Sequence, residues 1–479
     1  MAEWFAWIPT AYLISEWAIR IGMTPFVVRR RTSTSAMAWL LIIYFLPWAG
    51  FILYGMLGQR RLGRRRLQRY ADARKRIETP VRMAAQEIHV VHPSLPPEQD
   101  DLVLLCERLS GLPIVGGNHV EFIQDTQGFI NSLIDDIDEA KHHVHLLFYI
   151  VADDATGQRV ADALIRAKER GVECRLLIDS VGGKGALETL RPRLEEHGVQ
   201  VQEALPAGFF RQWLRRVDLR NHRKIAVIDG HVGYTGSQNI VDANYGHAKV
   251  GVWHDLMMRV TGPTVLGLQI VFTEDWFAES DELIEDAAYF PAPDTSGDVA
   301  AQLVQSGPND ESDTFRSVTI AAINEAQRHV ILTTPYFIPD EPLLYALRLA
   351  CLRGVKVDLI VPKRSDQRLV GAAAQSFYPT LLEYGVRVHL HHPGLLHAKS
   401  LCVDESFAMV GSGNLDCRSF FLNFELSLLL YGQTITKRLR ECQQEYLDGS
   451  EHLELSRWVA QPAWRNVLRD IAALFGPIL

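Results

Sequence analysis

The chain has 479 residues, a formal net charge of -8, 47% hydrophobic and 22% charged residues. That length exceeds one compact core and predicts two or three domains, and the acidic balance argues against a general nucleic-acid binder, which is ordinarily basic. The six cysteines (Cys106, Cys174, Cys351, Cys402, Cys417, Cys442) are scattered without a C-x-x-C pair; this suits neither a zinc site nor a disulfide framework and places the soluble part in a reducing compartment.

The first apolar segment, Trp4 to Met23, is interrupted by Glu16 and Arg20, which lie four apart on one helical face and can pair. It is read as spanning a membrane or lying in its interface. It has neither the basic start nor the small-residue cleavage site of a signal peptide. Ala36 to Leu57, "AMAWLLIIYFLPWAGFILYGML", holds no charged side chain over 22 positions, enough to cross a bilayer core. Trp39, Trp48 and Tyr54 are interface-favouring types, and Pro47 is tolerated in a spanning helix. Residues 1–58 are therefore expected to anchor the chain through segments at about 4–23 and 36–57. A basic cluster, "GQRRLGRRRLQRYADARKR", opens a linker region over 59–112 that also contains "HPSLPPEQDD". By the positive-inside rule the cluster sets the rest of the chain in the cytoplasm, and it attracts anionic headgroups. Arg29, Arg30 and Arg31, between the segments, point the other way.

One pattern then occurs twice: "IDEAKHHVHLLFYIVADDATGQRVADALIRAKERGVECRLLID" and "INEAQRHVILTTPYFIPDEPLLYALRLACLRGVKVDLIVP". Each reads as a helix end, a buried strand, a polar loop, an amphipathic helix, a glycine stop (Gly171, Gly354) and a second buried strand. Short apolar strands alternating with helices predict an α/β fold with helices flanking the sheets. The duplication predicts two related domains, 113–288 and 301–479, divided by the turn-rich stretch 289–300.

Each copy leads to a second repeat, H-x-K-x4-D-x6-G-S-x-N: His222, Lys224, Asp229, Gly236, Ser237, Asn239, and His397, Lys399, Asp404, Gly411, Ser412, Asn414. Six fixed positions at roughly one chance in twenty each give about 10⁻⁸ per start site, so two matches are not accidental. His and Lys two apart on a strand share a face. Lys and Asn can donate to two oxygens of a phosphodiester, and histidine can serve as nucleophile or general acid. In-line displacement at phosphorus needs a nucleophile on one side and a proton donor on the other, so two facing copies complete one site. Downstream acids, Asp255 in the first copy and Glu425 in the second, precede apolar strands in equivalent places. A carboxylate there can hold an imidazole's second nitrogen and fix its tautomer. Asp229 and Asp404 either touch phosphate or brace the hairpin.

These residues match the paired HKD motifs of the phospholipase D superfamily. With the apolar front end, "LRNHRK", "TTPYFIP", "GLLHAKS" and the ending "AQPAW", the whole chain resembles the bacterial cardiolipin synthases within it. The resemblance implies a pseudo-two-fold pair of phospholipase D-like domains behind N-terminal transmembrane or interfacial helices, at the bacterial inner (plasma) membrane. It implies transfer of a phosphatidyl group from one phosphatidylglycerol to another through a phosphohistidine, giving cardiolipin and glycerol, with no cofactor and no metal. Partners are then phosphatidylglycerol and an anionic phospholipid membrane, not nucleic acid. In the superfamily the first-motif histidine is usually the nucleophile, which assigns that part to His222 and acid/base work to His397; the residues alone do not separate the two. His142, His143 and His145 alternate on a strand and are read as structural rather than as a zinc site. The stretch Leu205 to Lys224 interleaves Phe209, Phe210, Trp213 and Leu214 with Arg211, Arg215 and Arg216, a pattern that fits either a bilayer-surface helix or a packing helix. A membrane-anchored phospholipase D using water, a superfamily phosphodiesterase and an inactive scaffold are the competing readings.

Overall fold

The computed structural model describes residues 2–30, 33–58, 62–84, 90–93, 100–206, 218–245, 250–308, 313–474 and 476. Among the described residues, those within 1–64, with 218 and 219, form one compact unit, and those within 65–206 and 220–476 form another.

In the first unit, helix Ala2–Val28 is followed by Ser33–Phe45 and Pro47–Leu57. The charge-free run is thus two helices rather than one. Pro47 has no N–H and starts a new helix, and Leu46 leaves the helical region at φ -132, ψ 72. No helix among the described residues is long and apolar enough to cross a membrane. The pieces pack on each other: Val27, Ala36, Ile43 and Tyr54 are buried together. Gly50 permits the close approach, since a Cβ there would meet the Ile43 Cα at 2.7 Å. Glu16 and Arg20 pair at 3.2 Å. The aromatic-basic stretch from Phe209 to Arg216 lies outside the described residues.

The second unit is built on one sheet, sixteen-stranded among the described residues. At its middle, Val115–Ile123 runs antiparallel to Val299–Ser306. From that seam the first half continues through Met257–Thr261, Val232–Gly236, Ile225–Ile228, His143–Phe148, Glu173–Asp179 and Gln200–Ala204. The second half continues through Asn423–Tyr431, Phe407–Gly411, Ser400–Val403, His329–Thr333, Lys356–Pro362 and Arg387–His391, with Ser450–His452 at its edge. The two sequence copies therefore occupy matching places on either side of the seam. The fold is mixed α/β. Strands such as His143–Phe148 and Asn423–Tyr431 are buried along their whole length, because helices cover both faces.

Local chemistry explains the elements. Asp125, Asp154 and Asp340 each cap a helix by accepting the backbone N–H of Gly128, Gly157 and Leu343. Gly171 and Gly354, at φ 90 and φ 85, end the helices where the sequence signals a stop. One hydrophobic core takes Ile225, Met258 and Phe272 from the first half and Cys402, Val410 and Leu439 from the second, so the halves share an interior.

Part of the basic cluster turns inward. Helix Arg64–Ala84 meets the acidic end of helix Thr264–Ser280: Arg66 pairs with Glu279 at 2.5 Å, Arg74 with Glu274 at 2.7 Å, and the Tyr70 hydroxyl donates to Asp275 at 2.7 Å. Glu274 and Asp275 are almost fully buried, and buried carboxylates require such partners. These two arginines thus brace the fold through the acids they pair with.

Candidate active site

Each histidine is positioned by a strand of the opposite half. The short strand Arg220–Asn221 pairs in parallel with Asn423 and Phe424, and the His222 N–H donates to the Phe424 carbonyl at 2.9 Å. Continuing that register sets His222 against Glu425. Likewise Leu395–Leu396 pairs with Trp253 and His254, and the His397 N–H donates to the His254 carbonyl at 2.8 Å. His397 thereby meets Asp255.

The carboxylates are exchanged accordingly. His222 Nδ1 lies 3.0 Å from Glu425 Oε2, and His397 Nδ1 lies 2.6 Å from Asp255 Oδ1. Each acid follows its own half's motif in the chain but holds the other half's imidazole. The motif serines steady the acids: the Ser412 hydroxyl donates to Glu425 at 2.5 Å and the Ser237 hydroxyl to Asp255 at 2.6 Å. Glu425 accepts two further bonds, from Ser419 at 2.8 Å and Asn423 at 3.2 Å. Lys224 and Lys399, both buried, reach back to the carbonyls of His222 and His397 at 2.7 and 2.6 Å.

Burial sets the electrostatics. It pushes the His222 imidazole down to about 4, against the upward pull of Glu425, with Lys224 adding to the fall. His397 is lowered for the same reason, opposed by Asp255. Burial alone would raise the two carboxyls, yet the facing imidazoles and lysines hold Glu425 and Asp255 at about 2. Burial brings Lys224 to about 7 and Lys399 to about 8. Near neutrality each imidazole is therefore neutral beside an ionised carboxylate. The proton must then sit on Nδ1, which leaves the Nε2 lone pair free. A phosphodiester anion entering here would favour the charged form of both lysines.

Both histidines wall a single cavity of about 550 Å³, together with Asn239, Asn414, Arg220 and Arg418. Tyr149 packs edge-on to His222, ring centroids 4.9 Å apart, and Trp253 tilts against His397 at 4.8 Å. Asn239 accepts the Ile150 N–H at 3.0 Å, which ties it to the strand end beside the cavity. Sequence reasoning did not single out Arg220, Arg418, Tyr149 or Trp253. Arg220 alone had a signal, its place in "LRNHRK". It bonds to Asp179 at 3.3 Å and to the Ser180 hydroxyl at 2.8 Å.

Lys224, Lys399, Ser237 and Ser412 are buried behind the wall of this cavity, and Asp229 and Asp404 do not line it either. Both are left-handed turn residues, φ 52 and φ 51. The Asp229 carboxylate accepts the N–H groups of Lys141, His142 and His143, each at 2.8 Å. Asp404 accepts those of Gln327, Arg328 and His329 at 2.9, 2.8 and 2.9 Å. Of the two parts left open for them, this is the bracing one: they anchor the hairpin turn to the start of the neighbouring strand. His145 lies between Gln269 and Arg175, at 3.1 and 3.2 Å, inside the first-half core. Among the described residues no group of three or more His, Cys, Asp and Glu is arranged to hold a metal ion.

Behind His222, the buried Arg223 guanidinium places Nη1 2.9 Å from both Asp275 oxygens. Asn221 donates to Asp275 at 3.0 Å, and Tyr70 completes the set. The second copy has Ala398 in the place of Arg223.

Comparison with known proteins agrees with this geometry. A family profile described as "Cardiolipin synthase, PLD-like domain" matches residues 133–266 and 319–446, and one described as "Phospholipase_D-nuclease N-terminal" matches residues 18–59. Cardiolipin synthase A of Yersinia pseudotuberculosis serotype O:1b (strain IP 31758) is 36% identical over 100% of both chains. That of Klebsiella pneumoniae (strain 342) is 35% identical over 100% of both chains. The crystal structure of phosphatidylserine synthase from Haemophilus influenzae Rd KW20 shares the fold, with a TM-score of 0.58 at 17% identity, covering 79% of this chain and 100% of that one. With two complete motif copies converging on one cavity and full-length relatives at this identity, the chain belongs to the cardiolipin synthase family of phospholipase D-like proteins.

Proposed function

We propose that the protein makes cardiolipin by joining two phosphatidylglycerol molecules. The observation that carries the reading is that two imidazoles, each held by the opposite half's carboxylate, wall one cavity. The Nε2 of His222 attacks phosphorus of the first phosphatidylglycerol. The phosphorus–oxygen bond to glycerol breaks as His397, which takes part as the imidazolium that Asp255 and the bound phosphodiester anion favour, gives that oxygen its Nε2 proton, and phosphatidyl-His222 forms. His397 then takes the proton from a glycerol hydroxyl of the second phosphatidylglycerol, whose oxygen attacks phosphorus and displaces His222. Lys224, Lys399, Asn239 and Asn414 supply donors to the non-bridging oxygens. Ser237 and Ser412 act through the acids they hold, and Asp229 and Asp404 through the hairpins they anchor.

The catalytic domains are 113–288 and 301–479, joined by 289–300 and preceded by the basic linker 59–112. Residues 1–58 anchor the chain in the inner membrane with the domains on the cytoplasmic side. The charge-free run, the interfacial aromatic residues and the basic residues that follow support this placement.

The test is product analysis. Detergent-purified protein given phosphatidylglycerol alone is expected to release glycerol and cardiolipin in equal amounts, read by lipid mass spectrometry. Phosphatidic acid without cardiolipin would instead make the enzyme a hydrolase.

A further inference from the structure

The last described helix, Ala463–Ala473, is amphipathic, with its apolar side turned away from the protein. Trp464, Val467, Leu468 and Ile471 follow the i, i+3, i+4, i+7 spacing and are 59%, 56%, 56% and 48% exposed; Leu474, just past the helix, is 77% exposed. The inward side is the polar one. Arg469 donates to Gln375 at 3.0 Å and to Gln461 at 2.8 Å, and its guanidinium lies 4.2 Å from the Trp458 ring centroid. Ala472 is the buried residue of the helix, packed with Val370, Ala373 and Ala374. This inverts the arrangement of an ordinary surface helix, whose apolar stripe faces the core.

What covers the face follows from its position. The helix rests on Arg368–Ser376, whose Val370 forms part of the cavity wall, with Asp366 and Gln367 just ahead of it. Leu369 on that helix is 47% exposed and Arg368 is also exposed. Arg465 stands exposed on the same helix, and its guanidinium lies 5.4 Å from the Trp464 ring centroid. A tryptophan-bearing apolar face flanked by arginines is the composition of a helix lying in a bilayer interface with anionic headgroups.

We propose that helix Ala463–Ala473, together with Leu369, docks on an anionic phospholipid bilayer and brings the cavity to the lipid surface. This rests on the reading of the substrate as a phospholipid: such a substrate leaves the bilayer only by exposing its acyl methylenes to water, a cost that a docked cavity mouth avoids.

The test compares two substrate forms in the full-length chain. In the Val467→Asp/Leu468→Asp variant, the initial rate on phosphatidylglycerol vesicles is expected to fall about tenfold or more, since two interfacial apolar contacts become charges. The rate on a short-chain phosphatidylglycerol, monomeric in solution, is expected to stay at the wild-type value. Ile471→Ser should show the same selective loss, smaller in size. Equal rates on both forms, or an equal loss on both, would overturn the proposal. A changed oligomeric mass by light scattering without a vesicle-specific loss would overturn it too, in favour of a second copy on this face. Wild-type protein inactive on both lipids would instead defeat the substrate reading.

Discussion

The two halves of the site are alike at the reacting atoms and unlike behind them. Each offers a neutral imidazole, a buried lysine bonded to a backbone carbonyl, and a serine that fixes a carboxylate. Behind His222, however, Glu425 is held by Ser412, Ser419 and Asn423, and the next residue is clamped by Asp275. Behind His397, Asp255 has, besides the imidazole itself, only the Ser237 side chain among the described residues, and the next residue is Ala398. The fronts match while the backs differ, and the heavier bracing lies behind His222, the histidine proposed as nucleophile.

The largest effect should ignore this asymmetry. His222→Ala and His397→Ala are each expected to lower kcat by about 10⁴-fold or more, and the double variant by little more than either, because groups acting as a unit are not additive. Substantial turnover in one single variant would break the equivalence of the two fronts. Next come the acids. Glu425→Gln and Asp255→Asn should each cost about 10³-fold through loss of the imidazole tautomer. Because the carboxylates are exchanged, Glu425→Gln should slow formation of the phosphatidyl-enzyme, and Asp255→Asn the proton transfers to and from glycerol oxygen. The acid limb of kcat/KM is expected near pH 4 in the wild type, since His222 loses its lone pair below that value. Glu425→Gln removes the upward pull on His222, so its limb should move to still lower pH. The third effect is one-sided. Arg223→Ala gives the first copy the residue of the second and leaves the Asp275 charge buried; it should cost about 3 kcal/mol of stability, read by denaturant unfolding.

Much of this was written in the chain. The duplication, the α/β class and the paired motifs whose histidines share one cavity are local patterns, legible because strand and helix periods and motif offsets survive without tertiary context. The exchange of carboxylates is not local. His222 and Glu425 are 203 residues apart, and they meet where the two-residue strand Arg220–Asn221, which carries no composition signal, pairs with the start of Asn423–Tyr431. Asp229 and Asp404 share the motif spacing with the reacting residues, so spacing alone left their part open; the left-handed turn they occupy and the three N–H groups each one accepts show what they brace. The charge-free run reads as one segment by composition, yet Pro47 divides it. The inward pairing of Arg66 and Arg74 depends on acids about 200 residues downstream, which no window on the basic cluster contains.

The criss-cross of acid and imidazole has a consequence for descent. Neither half carries a working histidine of its own, so a recombination event that replaced one half would deliver an imidazole tuned to a foreign acid and strand the acid it brought. A shift of the Asn423–Tyr431 strand would be felt at once by His222, on the far side of the seam.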